Sequence, residues 1–349
     1  MFIGVTLKAA VYHGPLNIKI EDIPEPSCGV NDVIVKVKAC AICATDVKTI
    51  LKGHKLIKPP TVLGHEISGI VYKVGENVDY IEEGSRVVVG PYAPCGYCYY
   101  CLKGKETLCE NLFKQGLEPG GFAEYVKVPE AIAKKCLIKI SNNVSFEEAS
   151  LTEPLACCIK GLREAEFKPG DNILVIGCGP IGLMHTLLSK CFGARQIIAA
   201  DIDEKRLEYA SNFGADITVN PIKQSLEDEV KKYTRGIGVD IVMVDVPKFD
   251  AVKEAFKCVR KGGVICLFAG LPPMESQMPI DLNQIHYFEV KLVGSFGFTP
   301  RDFHLAYRLI ESRRIDVSKL ITHRIKLEQL LQGIELVKSH RALKVVVLM

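Results

Sequence analysis

Four cysteines stand within one short stretch, Cys95-Gly-Tyr-Cys98-Tyr-Tyr-Cys101-Leu-Lys-Gly-Lys-Glu-Thr-Leu-Cys109, spaced C-x2-C-x2-C-x7-C. Four thiolates on one lobe can close tetrahedrally around zinc, and a site whose ligand positions are all filled by protein is structural. An iron–sulfur cluster is the other reading, because the first three spacings also suit one. A second set of donors is dispersed. Cys43 lies in Cys40-Ala-Ile-Cys-Ala-Thr-Asp46, His65 and Glu66 in Leu63-Gly-His-Glu66, and Glu153 in Leu151-Thr-Glu-Pro-Leu155. Each alone would be unremarkable, since a single histidine is more often a hydrogen-bonded structural residue than a ligand.

A third pattern concerns phosphates. Ile173-Leu-Val-Ile-Gly-Cys-Gly-Pro-Ile-Gly182 sets G-x-G-x-x-G directly after an apolar run and at the mouth of a helix. Gly177 allows the tight turn, Gly179 lets backbone approach a pyrophosphate, and Gly182 lets helix and strand pack closely. Pro180 and Ile181 complete the turn, where free N–H groups and the positive helix end would meet the phosphates. Asp201 ends the next apolar run, Ile197-Ile-Ala-Ala-Asp, where a carboxylate bonds ribose hydroxyls and repels a 2′-phosphate. NAD is therefore expected over NADP. Arg206, five residues on, is a cation that could serve a phosphate. Leu271 is a further candidate for lining the dinucleotide.

The elements around these motifs change character along the chain. The first ~150 residues carry short β-rich runs, among them Val33–Val37, Ile67–Val74 and Arg86–Val89, punctuated by Gly and Pro. From about residue 170, strand candidates at 172–176, 196–200, 217–219, 241–244 and 264–268 alternate with helix candidates at 182–192 and 204–213. That alternation implies crossover units and a parallel sheet. After Gly294 it stops, with helices expected at 302–312 and 327–340 and a strand at 343–348.

Composition sets the outer bounds. A length of 349 residues suits two domains. The net charge of +3 gives no reason to expect nucleic acid or a membrane as partner. No apolar run approaches the ~20 residues of a membrane span. The Phe2–Leu7 patch lacks the flanks of a signal peptide, so a cytoplasmic protein is expected. Of fourteen cysteines, most of those outside the four-cysteine lobe and Cys43, such as Cys178, Cys191, Cys258 and Cys266, read as small buried hydrophobes.

Taken together, Cys43-Ala-Thr-Asp46, Gly64-His-Glu66, the four-cysteine lobe, Glu153-Pro-Leu-Ala156, Gly177-Cys-Gly-Pro-Ile-Gly182 and Asp201 resemble the zinc-containing medium-chain dehydrogenase/reductase family, nearly end to end. The resemblance implies an α/β chain: a GroES-like β-rich catalytic domain over 1–153 and 295–349, and a doubly wound Rossmann domain over 154–294. It implies two zinc ions per chain, with Cys43 and His65 on the catalytic one and Cys95, Cys98, Cys101 and Cys109 on the structural one. Glu153 stands where liver-type alcohol dehydrogenases carry a cysteine. That glutamate resembles the polyol (sorbitol-type) and threonine dehydrogenase branches, in which Glu66 also sits at or near the metal. Thr45 matches the family's relay hydroxyl. Lys48 replaces the histidine that ends the relay in many relatives, and a lysine near neutral pH passes protons poorly unless its pKa is lowered. A homodimer or homotetramer is also implied.

The expected reaction is hydride transfer between NAD and a secondary alcohol of a polyol, sugar or sugar acid. Threonine 3-dehydrogenase and general secondary-alcohol dehydrogenase activities are the alternatives. The segment Val47–Lys58 has four lysines, one histidine and no acid, which suits either an anionic small-molecule substrate or a solvated basic face. Gly294-Ser-Phe-Gly-Phe298 lacks the Arg–Tyr pair with which sorbitol dehydrogenases hold their sugar. A zinc-binding module without enzyme activity would leave Asp201 unexplained. A zinc-free quinone reductase would lack both metal sets.

Overall fold

The structure, a computed structural model of the chain, describes residues 6–272, 276–277 and 279–349. Most of the N-terminal apolar patch, residues 2–5, lies outside the described residues. Two compact units form: the chain up to Ala156 together with Phe298–Met349, and Cys157–Gly297. No helix among the described residues is long and apolar enough to cross a membrane.

The first unit opens with β1 (Thr6–Gly14) and β2 (Asn17–Pro24), an antiparallel pair. Strand β3 (Val33–Ala41) is buried along most of its length, with Lys36 its exposed residue. Helix α1 (Ala44–Lys52) begins three residues later. Strand β4 (Thr61–Val62) pairs with β1, and β5 (Glu66–Val74) runs antiparallel to β3 in a register that sets Glu66 opposite Ala41. Strand β6 (Arg86–Val89) extends this sheet beside β5. Helix α2 (Tyr99–Leu102) lies in the cysteine lobe. Strand β7 (Tyr125–Val128), α3 (Glu130–Cys136), β8 (Leu137–Lys139) and α4 (Phe146–Ser150) follow, before α5 (Thr152–Glu164).

The second unit is a six-stranded parallel sheet. Its strands are β9 (Asn172–Ile176), β10 (Gln196–Ala200), β11 (Ile217–Val219), β12 (Val239–Val244), β13 (Val259–Leu267) and β14 (Lys291–Gly294), in spatial order β11-β10-β9-β12-β13-β14. Crossover helices α6 (Pro180–Cys191), α7 (Glu204–Asn212), α8 (Leu226–Tyr233), α9 (Phe249–Cys258) and α10 (Leu282–Phe288) join them. Numbered within the unit the order is 3-2-1-4-5-6, so the direction of winding reverses beside β9, where such sheets bind ligands at their carboxyl ends. Leu174, Ile198, Val242 and Ile265, all fully buried, build its core. Cys178, Cys258 and Cys266 are buried as expected, whereas Cys191 is half-exposed because it ends α6.

The chain then returns to the first unit through α11 (Pro300–Glu311), β15 (Ile321–Lys326), α12 (Leu330–Lys338) and β16 (Lys344–Leu348). The expected 327–340 helix is divided, because a 3-10 turn over Leu327–Gln329 precedes α12. Strand β16 pairs with β3, placing Val346 opposite Ala41. Ala41 at the end of β3 thus lies between Glu66 at the start of β5 and Val346 of β16, and the donors cluster at that end of the three central strands.

Candidate metal centres and dinucleotide cradle

Ligand atoms of Cys43, His65 and Glu66 lie within 4.8 Å of one another. Cys43 is the N-cap of α1. Its sulfur accepts from Thr45 N at 3.4 Å, while its own N–H donates to Asp46 Oδ2 at 3.0 Å, a reciprocal cap. His65 follows Gly64, whose φ of +90° and crowding (an added Cβ would come 2.9 Å from Phe122 N) admit only glycine. Glu66 begins β5 and is fully buried. Asp46 braces the set: its Oδ1 lies 3.5 Å from His65 Nδ1 and accepts from Gly64 N at 3.3 Å. Burial works against a charged imidazole at His65, yet Asp46 and Cys43 outweigh it and raise the pKa well above the usual value. A pocket that attracts a proton this strongly meets the same electrostatic demand with a dication, and metal binding releases such protons.

Lys344, at the start of β16, enters the site from the far end of the sequence. Its Nζ donates to both oxygens of Glu66, at 2.7 Å to Oε1, and to Ile42 O at 3.2 Å. Burial opposes its charge, but Glu66, Cys43 and Glu153 raise its pKa. Glu153 is buried in the first turn of α5, near enough to act on Lys344 but outside the 4.8 Å group. Thr45 and Lys48 are both exposed, three residues apart on α1. Sequence reasoning missed Lys344. Its signal was a lone lysine opening the otherwise apolar run Lys344-Val-Val-Val-Leu348.

The four lobe cysteines also bring their sulfurs within 4.8 Å of one another. The Cys98–Cys101 and Cys95–Cys101 sulfurs are 3.6 and 4.0 Å apart. These distances are far too long for disulfides and close to the ~3.8 Å edge of a tetrahedron with ~2.3 Å bonds to zinc. Backbone N–H groups of Cys95, Cys98 and Asn111 point at lobe sulfurs, each at 3.3 Å. Burial would raise the Cys95 thiol, but the N–H groups of Tyr97 and Cys98 help lower it to about 6; burial and the neighbouring thiols push Cys101 up to about 12. Four sulfurs at these separations, with backbone N–H groups aimed at them, fit a single dication, whose binding would ionise all four.

The glycine turn forms the third site. Gly177 has φ +104°, and a Cβ there would come 2.4 Å from Val246 Cγ1. A Cβ on Gly182 would come 1.8 Å from Gly177 O, so helix and strand touch backbone to backbone. Gly179 has open space around it and caps α6 without a side-chain hydrogen bond, with Pro180 in the first turn. The N–H groups of Ile181 and its neighbours at the helix start therefore await an acceptor. Asp201 Oδ2 accepts from Cys178 N at 2.7 Å and Oδ1 from Asp203 N at 3.0 Å, so this carboxylate also shapes the turn. Arg206 Nη1 lies 3.8 Å from Asp201 Oδ2. Leu271 is half-buried and packs on the apolar core beside the sheet.

Comparison with known proteins gives two family matches. Residues 29–140 match the alcohol dehydrogenase GroES-like domain and residues 180–312 the zinc-binding dehydrogenase model. The chain is 36% identical to an L-idonate 5-dehydrogenase of Vitis vinifera over 92% of its own length and 88% of the relative's. It is 32% identical to a sorbitol dehydrogenase of Bacillus subtilis, over 94% and 93% of the two chains. Among solved structures, one described as a zinc-binding dehydrogenase of Sinorhizobium meliloti 1021, bound to NADP, superposes with a TM-score of 0.89. It is 30% identical, over 99% of this chain and 100% of that one.

Proposed function

The chain belongs to the zinc-containing medium-chain dehydrogenase/reductase family, in its polyol dehydrogenase branch, and from that premise we propose that it moves a hydride between NAD and a secondary alcohol of a polyol, sugar or sugar acid. The observation that carries this reading is the convergence of Cys43, His65 and Glu66 at the end of one sheet, braced by Asp46 and Lys344. These three residues would hold a zinc ion that serves as a Lewis acid and favours ionisation of a substrate hydroxyl.

The chain's own groups do the rest. Asp46 orients the His65 ring, as carboxylates behind metal-binding histidines do. Burial raises the Glu66 pKa, and Lys344, donating to both carboxylate oxygens, works against that rise while leaving each oxygen a further lone pair. With a dinucleotide bound, whose nicotinamide would supply the hydride chemistry, Thr45 Oγ1 would accept the substrate's hydroxyl proton while releasing its own. Lys48 is exposed on the next turn of α1, so the proton leaves Thr45 for solvent. The four-cysteine lobe holds its zinc for structure alone.

Asp201 favours NAD, because its carboxylate stands where a 2′-phosphate would be repelled. For the substrate, Lys48, Lys52, Lys55 and Lys58 are all exposed and none forms an ion pair among the described residues. Four exposed cations on α1 and the segment that follows it favour an anionic sugar acid over a neutral polyol. The edge strand β14 and exposed Leu282, Tyr287 and Phe288 suit a homodimer or homotetramer. The fourteen free cysteines suit the reducing cytoplasm.

The test is a screen of neutral polyols, sugar acids and amino alcohols with NAD and NADP, followed at the nicotinamide absorbance. Reduction of NAD by a polyol or sugar acid, with sugar acids favoured at low salt, is expected. Activity on amino alcohols alone, or none in the zinc-loaded protein, would overturn the reading.

A further inference from the structure

A polar cluster lies deep in the second unit, behind the glycine turn and built from residues that no motif so far includes. His185, in the second turn of α6, sets Nδ1 2.8 Å from Asp245 Oδ2, with side chains 0% and 1% exposed. Asp245 directly follows β12. The Cys158 thiol of α5 lies against the imidazole and points at Ile181 O, 3.8 Å away. The Phe268 ring meets the imidazole edge-on, with centroids 4.8 Å apart. His185 Nε2 and Asp245 Oδ1 find no hydrogen-bond partner among the described residues.

A buried ion pair with two unsatisfied atoms is a poor way to stabilise a fold, since apolar replacements of similar volume are often neutral or better. Its place suggests another task. Asp245 N donates to Ile176 O at 2.9 Å, and the Asp245 carbonyl carbon lies 3.4 Å from where a Cβ on Gly177 would be. His185 stands three residues after Gly182, the residue in backbone contact with Gly177. One contact therefore spans the gap between the helix that offers its N–H groups to phosphates and the strand end that backs the glycine turn.

We propose that the His185–Asp245 pair is the positioning device of the dinucleotide cradle, fixing α6 against the end of β12 and thereby setting affinity for the dinucleotide. The proposal rests on the dinucleotide-binding reading of this unit. The backbone clearance at Gly182 leaves no slack, so a small shift of α6 misaims the N–H groups at its start, and misplacements of ~1 Å are costly.

The experiment compares the zinc-loaded wild type with His185→Gln, Asp245→Asn and the double variant His185→Leu/Asp245→Leu. NADH binding is followed by its own fluorescence, which no tryptophan disturbs because the chain has none. We expect the dissociation constant and the KM for dinucleotide to rise about tenfold in each variant, with kcat and zinc content little changed. The double variant should recover the wild-type melting temperature but not the affinity. A double variant that melts and binds like the wild type would overturn the proposal, and it decides the matter if a single variant fails to fold. A wild type that binds neither NADH nor NADPH would instead overturn the dinucleotide reading, and the proposal with it.

Discussion

Lys344 Nζ reaches both carboxylate oxygens of Glu66, 2.7 Å from Oε1, although the two residues stand 278 positions apart. The pair is almost wholly buried, with side chains 6% and 1% exposed. Strand β16 delivers the lysine and β5 the glutamate, and β3 lies between them. In the zinc-free chain, removing the lysine leaves the Glu66 carboxylate without its ion-pair partner in a place water does not reach. Lys344→Met should cost about 3–5 kcal/mol of stability. It should also lower kcat/KM by roughly 10–100-fold, as loss of support behind a metal ligand does. Chemical denaturation and steady-state kinetics check both, and a variant with wild-type stability would refute the role assigned to the pair.

The buried imidazole of His185 yields a pH prediction. Burial opposes its charge, but Asp245 and Cys158 outweigh burial and raise its pKa from 6.5 to about 10. A raised histidine pKa contributes stability that is fully present below pH ~6.5 and lost as pH climbs through the folded value. Asp245 beyond β12 and Cys158 on α5 are the titratable groups that face the ring. The stability advantage of the wild type over His185→Gln should therefore shrink between pH ~6.5 and ~10, by at most ~1.4 kcal/mol per pH unit. Denaturation midpoints across that range measure it. A constant difference would mean the ring is neutral throughout.

Thr45 should matter to turnover and not to the metal. Thr45→Val is expected to lower kcat by on the order of 10²-fold or more while zinc content stays normal, the usual scale for losing a proton-transfer group. Unchanged turnover would remove Thr45 from the proton path. Lys48→Ala should have a much smaller effect on kcat, because solvent already reaches that turn of α1.

On the proposed reading, Asp201 should set the choice of dinucleotide. Asp201→Asn retains a side-chain oxygen for the turn but removes the charge that repels a 2′-phosphate. We expect the ratio of kcat/KM for NAD over NADP to fall about tenfold or more, with Arg206 3.8 Å away to receive the phosphate. A wild type that prefers NADP would contradict this directly.

Much of the fold was legible because it follows local pattern. Residues 172–176, 196–200 and 217–219 became strands as read, since short apolar runs bounded by turns have few other outcomes in a parallel sheet. The donors Cys43, His65 and Glu66 were legible through their neighbours in sequence. Their brace at Lys344 was not, because β-sheet register brings it from the other end of the chain and leaves no local spacing to read. His185 and Asp245 escaped for the same reason: one sits on a largely apolar helix and the other follows an apolar strand. Only the tertiary pairing of α6 with β12 reveals that each has the other.

The most direct test of two metal sites with separate tasks is zinc content per chain, by elemental analysis, in the wild type and in Cys43→Ala. Two clusters of donors imply two zinc ions in the wild type. Cys43→Ala should retain one, in the four-cysteine lobe, and lose all turnover. A wild type with one zinc or none, or a Cys43→Ala variant that keeps both, would contradict the assignment.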